Sequence, residues 1–270
     1  MPARILTVAG SDSGGGAGIE ADIKTIERLG GYAMAAVTAV TAQNTQGVHG
    51  IWPLPPEAIS RQIEVVAQDI GVDAAKCGML GDAEAVRAVG AALRALPDVP
   101  LVVDPVMRAK GGDRLLAASA EATLREDILP LAWLVTPNLP EVEALTGAST
   151  DTRAGREEAA RRLVALGARA ALVKGGHGVE EEIEDLLFDG RTFTAYRGQR
   201  LQTRHTHGTG CTLSAAIATG LGQHLELAQA VERAISYVRA AIARAPGLGS
   251  GHGPLDHHAG QPAWTEAFTR

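Results

Sequence analysis

The residues of this chain best suited to chemistry gather around one short stretch, His207-Gly208-Thr209-Gly210-Cys211-Thr212. Small residues strip side chains from a turn there, and the Ala-, Leu- and Ile-rich run that follows is helical in pattern. Several unpaired backbone N–H groups can therefore converge on one spot. The positive end of the helix dipole lies at the same place, so the spot favours an anion. Cys211 stands at its mouth as a nucleophile or proton acceptor. An oxyanion or phosphate hole fits this spelling, and so does a glycine-rich turn that only starts a helix; the rest of the chain has to decide.

Other polar residues sit where strand-like runs end. Asp12 follows the apolar run 5–9, Asp104 caps the strand-like run 101–106, Asn138 and Glu141 follow 133–136, and Lys174 follows 170–173. Gln43 lies in a polar cluster, Thr41 to Gly47, after the apolar run 33–40. Its amide presents one donor and one acceptor side by side, the pairing needed to read an aminopyrimidine-like edge, although a loop amide bonded to local backbone has the same sequence. Two acids, a lysine and an anion cradle are the parts that Mg²⁺-assisted phosphoryl transfer uses. Asp104 before Pro105 also reads as an acid that merely opens a turn.

Residue types far apart in sequence share a site only if the elements bring their ends together. The order is repetitive: strand 5–9, helix 19–26, strand 33–40, helix 55–71, a short strand and loop 74–81, helix 83–96, strand 101–106, helix 120–129, strand 133–136, a helix from Glu141, helix 156–166 and strand 170–173. A hairpin with an Asp189-Gly190 turn follows, between runs 185–188 and 192–196, then helices over 212–221 and 227–243. Glu180-Glu181-Glu182 reads as a solvated loop, and the tail 246–270, rich in Gly, His and Pro, as irregular. Repeated βα units with near-continuous apolar strands predict a mostly parallel sheet covered on both faces, with ligands at the carboxyl ends of the strands. No linker, repeat or charge block divides the chain, which reads as a single domain over 1–270. The glycines of residues 10–18 match neither the dinucleotide fingerprint, since Ile19 stands where its third glycine is required, nor the P-loop.

Composition narrows the partners. With 46% hydrophobic residues the chain can bury a proper core, while an aromatic share of 3% offers little surface for stacking bases. Twenty-five basic against 31 acidic residues, with no basic cluster, argue against nucleic acid. No apolar stretch approaches the roughly 20 residues of a membrane span, and run 5–9 is too short for a signal-peptide core, so a cytoplasmic protein acting on small molecules is expected. Cys77 and Cys211 form neither a disulfide framework nor a zinc pattern, and Cys77 reads as a small buried hydrophobe.

Taken together in chain order, several segments resemble the hydroxymethylpyrimidine/phosphomethylpyrimidine kinases of thiamine biosynthesis, in the ribokinase-like superfamily. They are Ala9-Gly10-Ser11-Asp12-Ser13-Gly14-Gly15-Gly16-Ala17-Gly18-Ile19, Thr41-Ala42-Gln43-Asn44-Thr45, Lys76-Cys77-Gly78-Met79-Leu80, Asp104-Pro105-Val106-Met107, Thr136-Pro137-Asn138-Leu139-Pro140-Glu141, Val173-Lys174-Gly175-Gly176-His177 and the His207 to Ala216 stretch. The resemblance runs nearly end to end. It implies an α/β fold, a ribokinase-like three-layer α/β/α sandwich with a mostly parallel central sheet, together with ATP and Mg²⁺. It also implies two successive phosphorylations, of 4-amino-5-hydroxymethyl-2-methylpyrimidine and then of its monophosphate.

Carried over residue by residue, the resemblance gives Gln43 the pyrimidine's amino and ring nitrogens, with Asp22 and Met79 lining the same pocket. Gly208, Thr209 and Gly210 form the anion hole, Lys174, Asn138 and Thr206 serve the nucleotide, and Asp104 and Glu141 its Mg²⁺. Most sugar kinases of the superfamily carry Asp where Cys211 stands. A thiol at a helix N-terminus is expected to ionise more easily and could act as the base, or it could only shape the hole. A pyridoxal kinase of the similar Cys-containing type is the alternative enzyme, since pyridoxal also carries a hydroxymethyl on a flat nitrogen ring; Gln43 favours the aminopyrimidine. A non-catalytic pyrimidine sensor would have no use for Asp104, Glu141, Lys174 and Cys211 together. Edge strands and the resemblance favour a homodimer.

Overall fold

Along β1 (Arg4–Ala9) alternate side chains enter two different cores: Leu6 and Val8 pack on one side of the sheet and Ile5 on the other. All of residues 5–9 are buried, which explains why the run is apolar without alternation. In the computed structural model, which describes residues 1–109, 111–113, 115–177 and 181–259, β1 lies inside an eight-stranded sheet. Its strands are β2 (Tyr32–Val37), β5 (Ala74–Cys77), β6 (Leu101–Val103), β7 (Leu134–Val135), β8 (Ala171–Val173), β9 (Glu182–Phe188) and β10 (Phe193–Gln199). The spatial order is β10-β9-β8-β7-β6-β5-β1-β2, parallel from β2 to β8 and antiparallel at β9 and β10.

Helices α1 (Gly18–Arg28), α7 (Thr209–Gly222) and α8 (Leu227–Ala243) cover one face, burying Ile26, Ile217 and Val231 against Ile5, Val102 and Leu172. The other face carries α2 (Pro56–Asp69), α3 (Ala83–Arg94), α4 (Ala120–Thr123), α5 (Leu139–Thr146) and α6 (Arg153–Ala165). Ile59, Val86, Val142 and Leu163 anchor them to a core with Leu6, Ala75 and Val103. The architecture is a three-layer α/β/α sandwich with a mostly parallel central sheet, as expected.

Three readings change, and the irregular tail proves to be tethered. The apolar run 33–40 is not one strand: it breaks at Thr38, and the supposed loop after it forms β3 (Ala39–Asn44), paired antiparallel with β4 (Gly47–Pro53) in a separate two-stranded sheet. The polarity of Thr41, Gln43 and Asn44 reflects a strand outside the sandwich core, not a loop. Residues 120–131 are one α turn, one wider i→i+5 turn and one 3₁₀ turn, with Pro130 removing an N–H that a continuing helix would need. Glu182 opens β9 instead of lying in a loop, and Glu180 lies outside the described residues. The tail has no helix or strand between 246 and 259, yet it is tied down: the His252 N–H donates to the Thr45 carbonyl (2.8 Å), and the His207 N–H to the Gly253 carbonyl (3.1 Å). Its glycines are needed for closeness, since a Cβ on Gly251 would sit 2.0 Å from the Thr45 oxygen. Residues 260–270 lie outside the described part.

Candidate active site

The parallel strands deliver Gly10 and Asp12, Met79, Asp104, Asn138 and Lys174 to one edge of the sheet. A single cleft of about 900 Å³ opens there. The N-terminus of α7 forms part of its floor, and β3, with Gln43, part of its wall. Gln43, Met79, Asp104, Asn138, Glu141, Lys174, Thr206 and the run Gly208, Thr209, Gly210 and Cys211 all line this cleft.

The cradle at the start of α7 is shaped by two glycines. Gly208, the N-cap, has φ +83°, and a Cβ there would lie 1.8 Å from the Gly16 carbonyl oxygen, so two glycine loops touch backbone to backbone. No side chain caps α7, whereas Asp82, Asn138 and Thr152 cap α3, α5 and α6. The Thr209 N–H turns back to the Thr206 carbonyl (3.4 Å), which leaves the Gly210 and Cys211 amides of the first turn as donors for a ligand. Gly210 has neighbours of a different kind: a Cβ there would lie 3.0 Å from Asp104 Oδ2 and 3.3 Å from Lys174 Nζ. The anion cradle, the acid and the lysine therefore meet at one point.

Lys174 Nζ donates to Asp104 Oδ1 at 2.8 Å, with both side chains nearly sealed from water. An isolated bridge pairs Asn138 with Lys174 and brings the third polar strand end alongside. Asn138 and Glu141 close a capping box on α5: Asn138 Oδ1 accepts from the Glu141 N–H (3.0 Å), and Glu141 Oε2 from the Asn138 N–H (2.8 Å). Burial pushes the Glu141 carboxyl up to about 7, with Lys174 opposing and Asp104 adding to the rise. Among the described residues no group of three or more His, Cys, Asp and Glu could hold a metal. Two carboxylates completed by phosphate oxygens and water are the arrangement that Mg²⁺ accepts, so Asp104 and Glu141 fit that ion.

At the other end, Gln43 faces His207. Asp12 fixes this corner: its carboxylate accepts the N–H groups of Gly14 (2.8 Å), Gly16 (3.0 Å) and Ala17 (2.8 Å) and reaches His207 Nε2 at 2.8 Å. Burial alone would raise the Asp12 carboxyl, but His207 and the backbone donors hold it below its ordinary value. Because the ring proton on Nε2 points at Asp12, the Gln43 Nε2 group 3.4 Å away cannot donate to that nitrogen. Gln43 Oε1 lies 3.5 Å from the Thr41 hydroxyl, whose one proton goes to the Ser11 carbonyl at 2.8 Å. Among the described residues, then, nothing holds the Gln43 amide firmly enough to keep it from a ligand.

Residues 12–256 match the family model described as phosphomethylpyrimidine kinase. The chain belongs to the phosphomethylpyrimidine kinase family. It is 47% identical over 257 residues to the hydroxymethylpyrimidine/phosphomethylpyrimidine kinase of Bacillus subtilis, covering 95% of each chain. It is 51% identical to the thiamine biosynthesis bifunctional protein ThiED of Geobacter sulfurreducens, where 94% of this chain spans only 52% of that longer protein. The fold superimposes on an ADP complex of Bacillus subtilis pyridoxal kinase with a TM-score of 0.89 at 35% identity, covering 96% of this chain and 98% of that one. A phosphomethylpyrimidine kinase from Clostridium difficile 630 aligns with a TM-score of 0.80 at 38% identity, over 88% of this chain and 99% of that one.

In this member of the phosphomethylpyrimidine kinase family, two expectations need correction. Asp22 does not line the cleft. It is fully buried under the floor, where Oδ2 accepts from Lys76 Nζ (2.8 Å) and from the Thr7 hydroxyl (2.5 Å). Its place on the inward face of α1 puts it against β1 and β5. Cys211 is not eased toward ionisation either: burial pushes its thiol up to about 11, against the pull of Lys76, while Asp22 and Asp104 add to the rise. Desolvation here outweighs the helix dipole. Sequence reading assigned no role to Lys76 or His207. The one hint for Lys76 was a lysine inside an otherwise apolar strand; His207 had none beyond its place before the glycines.

Proposed function

We propose that this chain is an ATP- and Mg²⁺-dependent kinase acting on 4-amino-5-hydroxymethyl-2-methylpyrimidine and then on its monophosphate, in thiamine biosynthesis. The observation that carries the reading is the unspent Gln43 amide in the same cleft as the uncapped α7 cradle, where Gly210 lies against Asp104 and Lys174. One amide can accept from the ring's amino group and donate to the adjacent ring nitrogen, which leaves the 5-hydroxymethyl group to point toward Cys211. Met79 supplies an apolar wall for the flat ring.

The α7 amides and Lys174 stabilise the transferring phosphoryl group, and Asn138 and Thr206 serve the nucleotide. Asp104 and Glu141 would hold Mg²⁺, which would supply positive charge to the phosphate oxygens. The hydroxymethyl oxygen forms a bond to the γ-phosphorus as the bond to the β–γ bridging oxygen breaks, and ADP leaves. Cys211, as thiolate, takes the hydroxyl proton. In the second round the accepting oxygen belongs to the first phosphate. The ADP-bound relative supports a nucleotide in this cleft.

We also read the chain as a homodimer: Val40 (49% exposed) and Trp52 (59% exposed) face each other across β3 and β4 as an uncovered apolar pair. Sedimentation tests this, with a monomer at micromolar concentration opposing it. No described helix is long and apolar enough to cross a membrane, in keeping with a cytoplasmic kinase. The kinase reading is tested by incubating the protein with Mg·ATP and hydroxymethylpyrimidine and separating the products. Successive appearance of monophosphate and pyrophosphate is expected; absence of both, with no ADP formed, overturns it.

A further inference from the structure

Strand β9 carries one residue out of keeping with its place. Asp185 stands where the strand turns apolar, just before Leu186, Leu187 and Phe188, and it lines the cleft. Asp is a poor strand former, and its carboxylate costs free energy to desolvate. The register shows what it meets. The antiparallel ladder of β8 with β9 pairs Ala171 with Phe188, Leu172 with Leu187 and Val173 with Leu186, so the next step sets Lys174 opposite Asp185. There the backbone ladder stops and a side chain takes over: Asp185 Oδ1 accepts the Gly175 N–H at 2.8 Å. A Cβ on Gly175 would collide with the Glu184 carbonyl oxygen, so glycine is what lets the chain come this close to β9.

The Gly175 N–H belongs to the peptide bond that leaves Lys174, so this hydrogen bond fixes the backbone from which the lysine projects. On the other side the Lys174 N–H donates to the Pro137 carbonyl (2.9 Å), and one residue further on Arg200 donates to the Gly176 carbonyl (2.9 Å). The side chain then reaches Asp104, with Nζ at 2.8 Å from Oδ1, beside Gly210. Arg239 on α8, the other cation close to Asp185, donates to the Gln199 carbonyl (2.9 Å). We propose that Asp185 is a positioning residue for Lys174: its carboxylate pins the Lys174–Gly175 peptide to β9 and so holds Nζ at the α7 cradle. Strand β8 has only three residues and ends at Val173, which leaves Lys174 beyond the sheet's own hydrogen bonds on this side. The proposal rests on the reading of Lys174 as a group that stabilises the transferring phosphoryl group, but its test does not require turnover.

The experiment compares, by calorimetric titration, Mg·ADP with the Mg complex of the β,γ-methylene analogue of ATP, which carries the third phosphate. Asp185→Leu offers the Gly175 N–H no acceptor and should weaken the analogue by about tenfold and ADP by less than about threefold. Asp185→Asn keeps an acceptor and should bind both within about threefold of wild type. In a Lys174→Met background Asp185→Leu should cost the analogue nothing further, because the group it positions is gone. Circular dichroism establishes folding, and Asp185→Thr, a strand former too short to reach the amide, stands in if Asp185→Leu does not fold. Equal weakening of both nucleotides, as a merely structural role would give, overturns the proposal. So does a loss in Asp185→Asn as deep as in Asp185→Leu, or a full further loss in the Lys174→Met background. A wild-type chain that binds both nucleotides yet phosphorylates no pyrimidine sinks the kinase reading alone; one that binds neither overturns both.

Discussion

Asp12 Oδ2 and His207 Nε2 lie 2.8 Å apart although 195 residues separate them in sequence. The contact joins the glycine loop before α1 to the residue before the α7 cradle, and it fixes which ring nitrogen of His207 carries the proton. Asp12→Ala removes the acceptor of three backbone N–H groups and one imidazole. It should destabilise the fold by about 1–3 kcal/mol in chemical denaturation and raise KM for both substrates, because cradle and wall lose their common anchor. Wild-type stability and kinetics in this variant would show the clasp to be idle.

Gln43 offers a narrower test. Gln43→Leu keeps the bulk and deletes both polar atoms, so KM for the pyrimidine should rise by about tenfold or more while KM for ATP stays put. Steady-state kinetics with each substrate varied in turn separates the two. Equal losses would move Gln43 out of substrate recognition.

Gly210 and Cys211 are neighbours with separable roles. Gly210→Val pushes a side chain toward Asp104 and Lys174, and turnover should vanish in a protein that still melts cooperatively. Cys211→Ala should lower kcat far more than it raises KM. Wild-type kcat should climb from pH 7 to 9, since a thiol pushed up to about 11 is mostly protonated near neutrality. A kcat unchanged by Cys211→Ala would leave the sulfur only a shaping role.

The buried Glu141 carboxyl couples the site to stability. Its folded value of about 7 lies above the ordinary 4.5, so the folded chain retains a proton that the unfolded chain has lost between these values. Stability from this group is therefore full below about pH 4.5, falls as pH rises through that window, and levels off above 7. Glu141→Gln keeps an acceptor for the cap and removes the titration. Without nucleotide or metal the variant should melt above wild type at pH 8 and with it at pH 4. A lower melting temperature at pH 8 contradicts the shift.

The sheet and most of the cleft were legible because parallel strands advertise themselves as apolar runs, and their carboxyl ends carry the polar residues: Asp104 and Lys174 follow a buried strand directly, and Asn138 comes three residues after one. Gln43 was placed correctly on the cleft but in the wrong element, since β3 and β4 lie outside the sandwich and lack its apolar signature. Asp22 was misplaced because an acid in α1 reads the same whether it faces the cleft or a buried lysine. Which of these holds depends on Lys76, 54 residues away in sequence, and on its distance in space. The Cys211 thiol misled for a related reason: the helix N-terminus is visible in sequence, whereas the burial that outweighs it is not. The tail's role as a tether to Thr45 and His207 depends on backbone contacts that side-chain patterns do not encode.

The central claim is that an aminopyrimidine carrying a hydroxymethyl group is the substrate this cleft is built for. The most direct measurement compares kcat/KM for hydroxymethylpyrimidine, its monophosphate and pyridoxal under one set of conditions with Mg·ATP. The free Gln43 amide predicts that both pyrimidines are turned over, with hydroxymethylpyrimidine preferred to pyridoxal by at least about tenfold. Pyridoxal as the better substrate, or no phosphorylation of either pyrimidine, would contradict it.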